Sequence, residues 1–381
     1  MADYYFNFPP QDQLTISQQS AVNATNPIAL SGGPGTGKSF VSLWRHIINH
    51  KKETPVKSQL LTFTTSLAYY LKTISSKAIS SNPNDEHEVS IYEKYCDSTQ
   101  NWYYKHAIKR AEIIVDEAQD MPLDFYKNRL NKYASRISYG ADDKQILKSR
   151  AKNEDGTFNL DVCSPEKELQ KLFRNRVYTL DENFRNTKRI LEFANRVFKN
   201  AFVPKEEINS CRELGEIPSL LITQGDTQKQ NDTIKDIIRQ FHTDDHNIGI
   251  LAPLANVPWR DGEILTAKYY YNLLKDEFDC SFYDFGEHDG HGLTKMKNIH
   301  ITPFKSAKGL EFDTVIIPCF DYYSFNFRVI SWRDFFVGVT RAKSNLYLFS
   351  EKDIAQINSV VDPQVISDEA VRSTYEEDLP F

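Results

Sequence analysis

Nine residues, Ser31-Gly32-Gly33-Pro34-Gly35-Thr36-Gly37-Lys38-Ser39, carry the densest chemical signal in the chain. They fit G-x-x-x-x-G-K-[ST], with Gly32, Gly37, Lys38 and Ser39 in register. Glycines tolerate positive φ and present no Cβ, so a turn built from them can aim bare N–H groups at a phosphate chain. A helix opening directly afterwards adds the positive end of its dipole. Lys38 then reaches the β/γ-phosphates, and the Ser39 hydroxyl can ligate Mg²⁺. The bland alternative, a Gly-rich turn between strand and helix, does not account for a full eight-position match. The stretch predicts a nucleoside-triphosphate site built from Gly32, Gly33, Pro34, Gly35, Thr36, Gly37, Lys38 and Ser39.

A second cluster, Val115-Asp116-Glu117-Ala118-Gln119-Asp120, follows an apolar run. Carboxylates at the C-terminal end of a strand face the crevice in which such sheets bind ligands. Asp116 is expected to hold Mg²⁺ through water and Glu117 to orient or deprotonate the attacking water. Phosphoryl transfer needs that division, because positioning and charge stabilisation do most of the work.

Alternating strands and helices must position these groups. The helix beginning at Leu14 precedes the strand Ile28-Ala29-Leu30, and a helix follows from Phe40. Strands are expected at Gln59–Thr65, Val89–Tyr92 and Ile113–Val115. The pattern restarts past Tyr178. Helices over Thr187–Asn200 and Thr233–Phe241 alternate with strands at Ser219–Ile222, Asn247–Leu251, Thr314–Ile317 and Asn345–Phe349. Apolar residues at helical spacing, such as Ile190, Leu191, Ala194, Val197 and Phe198, mark the buried faces. The expectation is an α/β fold of two domains, each a parallel sheet flanked by helices. Residues 1–178 would form the first, 179–352 the second and 353–381 an acidic, solvated tail.

Composition sets the outer bounds. The chain has 381 residues, 40% hydrophobic and 26% charged, with a formal charge of -6. That argues against a generally basic coat for nucleic acid. However, seven acids stand against Lys352 and Arg372 beyond Glu351, leaving a near-neutral body that can carry a basic groove. Five scattered cysteines with no C-x-x-C pair suggest neither zinc nor a disulfide framework. A cytoplasmic setting is expected, with no signal peptide and no membrane span.

With these residues in order, the sequence resembles the UvrD/Rep-type superfamily 1 DNA helicases, which carry DExQD at this place. The resemblance implies that the two domains are RecA-like and that ATP and Mg²⁺ are used. It further implies that Gln18 reads adenine and that Thr62-Phe63-Thr64-Thr65 contacts single-stranded DNA. Ala141-Asp142-Asp143-Lys144-Gln145 resembles GDxxQ, whose glutamine senses the γ-phosphate. Asn183-Phe184-Arg185-Asn186 implies that Phe184 stacks on the base and Arg185 touches the γ-phosphate. Ala307-Lys308-Gly309-Leu310-Glu311-Phe312 is similar to AKGLEF, with Gly309 and Glu311 at the nucleotide and Glu311 on the ribose. Phe336–Ala342 supplies Arg341 as a second arginine finger. Tyr92 and Lys305 stand where the family has histidines near nucleic acid.

The departures matter equally. The large family insertions before DExQD and before AKGLEF have no room here, so the chain resembles a compact form. Ile146-Leu147-Lys148 replaces the base-stacking aromatics that follow GDxxQ. Phe63 is the best remaining candidate to stack on bases, and the cluster Trp102-Tyr103-Tyr104 could touch nucleic acid, although aromatics beside a helix are more often core. A single-stranded DNA translocase or 3′-to-5′ helicase is the expected activity. The alternative is a DNA-sensing ATPase subunit that activates a partner nuclease, as in antiphage (antiviral) defence.

Overall fold

The structure, a computed structural model, describes residues 2–105, 107–147, 157–256, 265–282, 296–324 and 330–366. The first lobe contains α1 (Ile16–Val22), β1 (Ile28–Ser31), α2 (Lys38–Lys51), β2 (Ser58–Thr62), α3 (Thr65–Ile79) and α4 (Glu86–Glu93). It continues with β3 (Cys96–Ser98), α5 (Thr99–Lys105), β4 (Glu112–Val115), β5 (Ile137–Ala141), α6 (Glu166–Phe173) and β6 (Arg176–Thr179). The second lobe contains α7 (Lys188–Val197), α8 (Lys205–Asn209), β7 (Ser219–Ile222), α9 (Thr227–Phe241), β8 (Ile248–Ala252) and α10 (Ala267–Leu274). It ends with β9 (Cys280–Phe282), β10 (Ile299–Pro303), β11 (Phe312–Ile317), α11 (Trp332–Val339), β12 (Ala342–Ser350) and β13 (Asp362–Val365).

Two sheets result, ordered β3-β2-β4-β5-β1-β6 and β13-β7-β12-β11-β8-β10-β9. Within each, the paired strands run parallel. Strands β2, β4, β5, β8 and β10 are buried along their whole length, as parallel strands covered on both faces must be. The fold is α/β, two RecA-like units with helices flanking parallel sheets.

This order brings the chemistry together. Strands β4, β5 and β1 are neighbours, so Asp116, the Asp142–Gln145 turn and the P-loop leave adjacent strand ends on one edge. In the second sheet Phe312 pairs with Ala342, which sets Glu311 and Arg341 side by side where β11 and β12 begin.

Several expectations need correction. Val89–Tyr92 lies within helix α4, not a strand. Asp85 caps that helix, accepting from the amides of His87 and Glu88, and Glu86 and Glu88 suit its positive end. Helix α9 starts six residues earlier than expected, at an Asp226 cap. Arg176–Thr179 forms the edge strand of the first sheet and so crosses the proposed boundary at 178. The stretch beyond Asp353 is not wholly a solvated tail, since Ile357 and Val361 are buried and β13 pairs with β7. Its acidic residues from Asp368 onward lie outside the described residues. Among the described residues no helix is long and apolar enough to cross a membrane.

Candidate active site

The P-loop links β1 to α2. Gly35 and Gly37 have φ of +80° and +86°, a backbone region that side chains rarely adopt. Space is also short. A Cβ on Gly35 would stand 2.7 Å from Asn183 Nδ2, and one on Gly37 would stand 2.6 Å from Gln18 Nε2. The second lobe therefore packs directly on the loop. Asn183 Nδ2 donates to Pro34 O at 2.6 Å, and the Phe184 amide donates to Gly35 O at 2.9 Å.

Lys38 Nζ donates to Gly32 O at 2.6 Å and Gly33 O at 2.8 Å, with Asp142 Oδ2 3.9 Å away. Ser39 Oγ donates to Asp116 Oδ2 at 2.7 Å. A hydroxyl and a buried carboxylate in contact form a hard-oxygen pair of the kind Mg²⁺ selects. These residues fit the ion that the resemblance implies.

Glu117 adopts φ 56°, a strained choice for a side-chain-bearing residue, just where β4 ends. Its Oε2 accepts from Gln119 Nε2 at 2.5 Å and lies 3.3 Å from Lys308 Nζ. Burial, then the neighbouring Glu117 charge, raises the Asp116 carboxyl above the usual range. Burial opposes charge on Glu117 as well, but Lys308 and Lys38 outweigh it and hold that carboxyl low. Two adjacent acids are thus pushed in opposite directions.

The second lobe closes the site. Arg341 Nη2 donates to Gln145 Oε1 at 2.9 Å, while Gln145 Nε2 donates to Asp142 Oδ2 at 2.7 Å. Arg185 Nε donates to Glu311 Oε2 at 3.0 Å. Burial, with Arg185 nearby, lowers the affinity of Arg341 for its proton. Arg212 lies over the Phe184 ring, 4.9 Å from its centroid.

One cavity of about 340 Å³ gathers most of these groups: Gln18, Gly35, Thr36, Gly37, Lys38, Ser39, Glu117, Gln145, Phe184, Arg185, Gly309, Glu311 and Arg341. Gly32 and Gly33 line a smaller hollow on the other side of the loop. Gln18 is already engaged. It forms a capping box with Thr15 and donates to Thr36 O at 3.1 Å, so its amide braces the P-loop from the cavity wall.

Sequence reasoning assigned no role to Lys308, although it stands inside the AKGLEF-like run. It is 1% exposed, pairs with Asp120 and donates to Gln145 O at 2.7 Å, bolting one lobe to the other. Asn183 was passed over in the same way. Nothing in the sequence pattern marked Arg212.

A second groove, about 650 Å³, also spans the lobes and includes Phe63, Thr64, Tyr103, Tyr104, Arg129 and Lys305. Thr64 caps α3 and donates to Lys308 O at 3.2 Å. Trp102 is fully buried, whereas Tyr104 is 70% exposed. Tyr92 is not part of this groove. Its ring lies on α4, 6.4 Å from His50.

Comparison with known families places a model described as the UvrD/REP helicase N-terminal domain on residues 14–317. The UvrD-like helicase C-terminal domain matches residues 285–353. Solved structures similar to the chain include the C-terminal domain of a possible DNA helicase from Lactobacillus plantarum WCFS1. It is 16% identical with a TM-score of 0.33, over 47% of this chain and 98% of that one. No curated protein matches.

Proposed function

The chain belongs to the UvrD/REP helicase family, whose members are ATP-dependent DNA helicases and translocases, and from that premise we propose a compact ATP- and Mg²⁺-dependent motor on single-stranded DNA. Its two working domains are the lobe that runs through β6 (Arg176–Thr179) and the lobe that runs from α7 to β13 (Asp362–Val365), and movement runs 3′ to 5′. The observation that carries this reading is the shared cavity, with Lys38, Ser39 and Glu117 from one lobe and Arg185, Arg341 and Glu311 from the other.

The mechanism follows from those positions. Mg²⁺ held by Ser39 and Asp116 would neutralise charge on the β- and γ-phosphate oxygens. Lys38 exchanges its loop carbonyls for phosphate oxygens. Glu117, kept ionised by Lys308 and Lys38, orients the attacking water and takes its proton. Gln145 and Arg341 sense the γ-phosphate, and Arg185 stabilises charge that develops there. Phe184 stacks on the base, and Gln18 steadies the loop beside it. Since the guanidinium groups and the P-loop sit on different lobes, loss of the γ-phosphate removes a tie across the seam. Strand gripped in the second groove by Phe63, Thr64, Tyr104 and Lys305 is then advanced as the seam opens and closes.

A second reading has one observation in its favour. Only α5 and a short loop separate β3 from β4, leaving no subdomain there to assist unwinding. A DNA-sensing ATPase subunit that licenses a partner nuclease needs hydrolysis without strand separation. Two assays on the isolated chain decide. Single-stranded DNA is expected to stimulate ATP hydrolysis, and no stimulation would count against both readings. Separation of a 3′-tailed duplex is expected of the motor; stimulated hydrolysis with no separation favours the subunit.

A further inference from the structure

Residues 2–10 cross from one lobe to the other along the nucleotide cavity. At the second lobe, the Asn298 amide donates to Ala2 O at 3.2 Å and the Tyr4 amide to Met296 O at 2.8 Å. The Asn247 side chain holds the Tyr5 backbone at both polar groups, accepting from its amide at 3.1 Å and donating to its carbonyl at 2.8 Å. At the first lobe, Phe6 stacks on Tyr70 and Phe8 on Trp44, with ring centroids 6.0 and 4.9 Å apart. Trp44 Nε1 donates to Pro9 O at 3.0 Å. Between these anchors, residues 5–10 line the same cavity as Lys38 and Arg341.

Tyr4 makes the contact of most consequence. It is 4% exposed, its hydroxyl donates to Glu311 O at 2.8 Å, and it accepts from Glu311 N at 3.1 Å. One phenol therefore satisfies both backbone groups of Glu311, which would otherwise be buried without partners. The Glu311 carboxylate is left facing the cavity, paired with Arg185. Burial, with Glu311 beside it, raises the Tyr4 hydroxyl well above its usual range, so it remains a donor.

We propose that residues 2–10 are a wall of the nucleotide site and that Tyr4 is a positioning residue, fixing Glu311 for the sugar of a bound nucleoside triphosphate. This rests on the ATP-site reading above and extends it to a segment that carries no motif. The contribution is specific to the ribose side. The phosphate groups are met by the P-loop whether or not Tyr4 holds Glu311.

Calorimetry with the full chain tests it, using MgATP and Mg-2′,3′-dideoxy-ATP against the wild type, Tyr4→Phe and Lys38→Ala. Tyr4→Phe keeps the ring and removes the hydroxyl. It is expected to weaken ATP binding about fivefold, the usual worth of the single hydrogen bond that a misplaced Glu311 would no longer make to the ribose. It should leave dideoxy-ATP binding within about twofold of wild type. Equal losses for both nucleotides, or none for either, would overturn the proposal. Lys38→Ala is expected to lose both nucleotides; wild-type binding by that variant would overturn the underlying site instead. A second measurement needs no variant. Amide exchange in residues 2–10 of the wild type should slow when MgATP is added, and unchanged exchange would remove the wall.

Discussion

Arg341 of the second lobe donates to the side chain of Gln145 in the first, 2.9 Å away across 196 residues of sequence. Both are buried, at 1% and 2% exposure. The contact makes one group of the two residues that the motif reading gives separate tasks at the γ-phosphate. Arg341→Ala and Gln145→Ala should therefore not add. A double-mutant cycle on urea unfolding is expected to return a coupling of about 0.5–3 kcal/mol. Strict additivity would mean that the contact carries no energy.

Lys308 offers a sharper stability prediction. Its ammonium lies among Asp120, Glu117 and the Gln145 carbonyl at 1% exposure. Lys308→Met would take this ammonium away from the buried Asp120 and Glu117 carboxylates, at a cost of about 3–5 kcal/mol. Adding Asp120→Asn should recover part of that loss in the same denaturation experiment. Loss of stability with no recovery would point to side-chain packing rather than charge.

The second groove predicts a separable defect. Tyr104 is exposed beside Tyr103, with the two rings 5.3 Å apart, and Arg129 lies over Tyr103. Tyr104→Ala should weaken binding of a short oligodeoxythymidine by about 1–3 kcal/mol, the worth of one stacked base. Fluorescence anisotropy would show it, and ATP binding without DNA should be untouched. Equal DNA affinity in the variant would place the strand elsewhere.

His300 sets a pH limit on stability. It is fully buried on β10. Its Nδ1 pairs with Ser281 Oγ at 2.8 Å, and Nε2 has no hydrogen-bond partner. Burial, only partly offset by the Ser281 contact, pulls its pKa down to about 3. A folded value below the unfolded 6.5 means that the unfolded chain takes up more protons. Stability is therefore intact above pH 6.5 and falls towards pH 3, by about 1.4 kcal/mol per pH unit from this residue. His300→Gln should flatten the melting temperature against pH across that window; an identical slope would remove the assignment.

What could be read from the sequence follows how locally each feature is encoded. The P-loop, Asp116-Glu117 and the apolar faces of α7 and α9 depend on short spacings, so they are visible in the chain itself. Val89–Tyr92 misled because four mixed residues cannot tell strand from helix, whereas the Asp85 cap and the acids after it could. β5 escaped notice since Ser138 and Gly140 interrupt its apolar run. β13 escaped because Pro363 reads as a breaker, yet an edge strand tolerates proline. Lys308 and Tyr4 were hidden for a different reason. Their partners, Asp120 and Glu311, lie 188 and 307 residues away, and pattern within a window cannot report contacts between lobes.

In the proposed motor two lobes act on a single nucleotide, one through Lys38 and the other through Arg341. Steady-state MgATP hydrolysis with saturating single-stranded DNA, measured for Lys38→Ala and Arg341→Ala beside the wild type, tests it most directly. Each substitution alone is expected to lower kcat by about a hundredfold or more, with the DNA affinity of both variants retained. Wild-type turnover by Arg341→Ala, alongside a dead Lys38→Ala, would mean that the first lobe hydrolyses ATP unaided, and would contradict it.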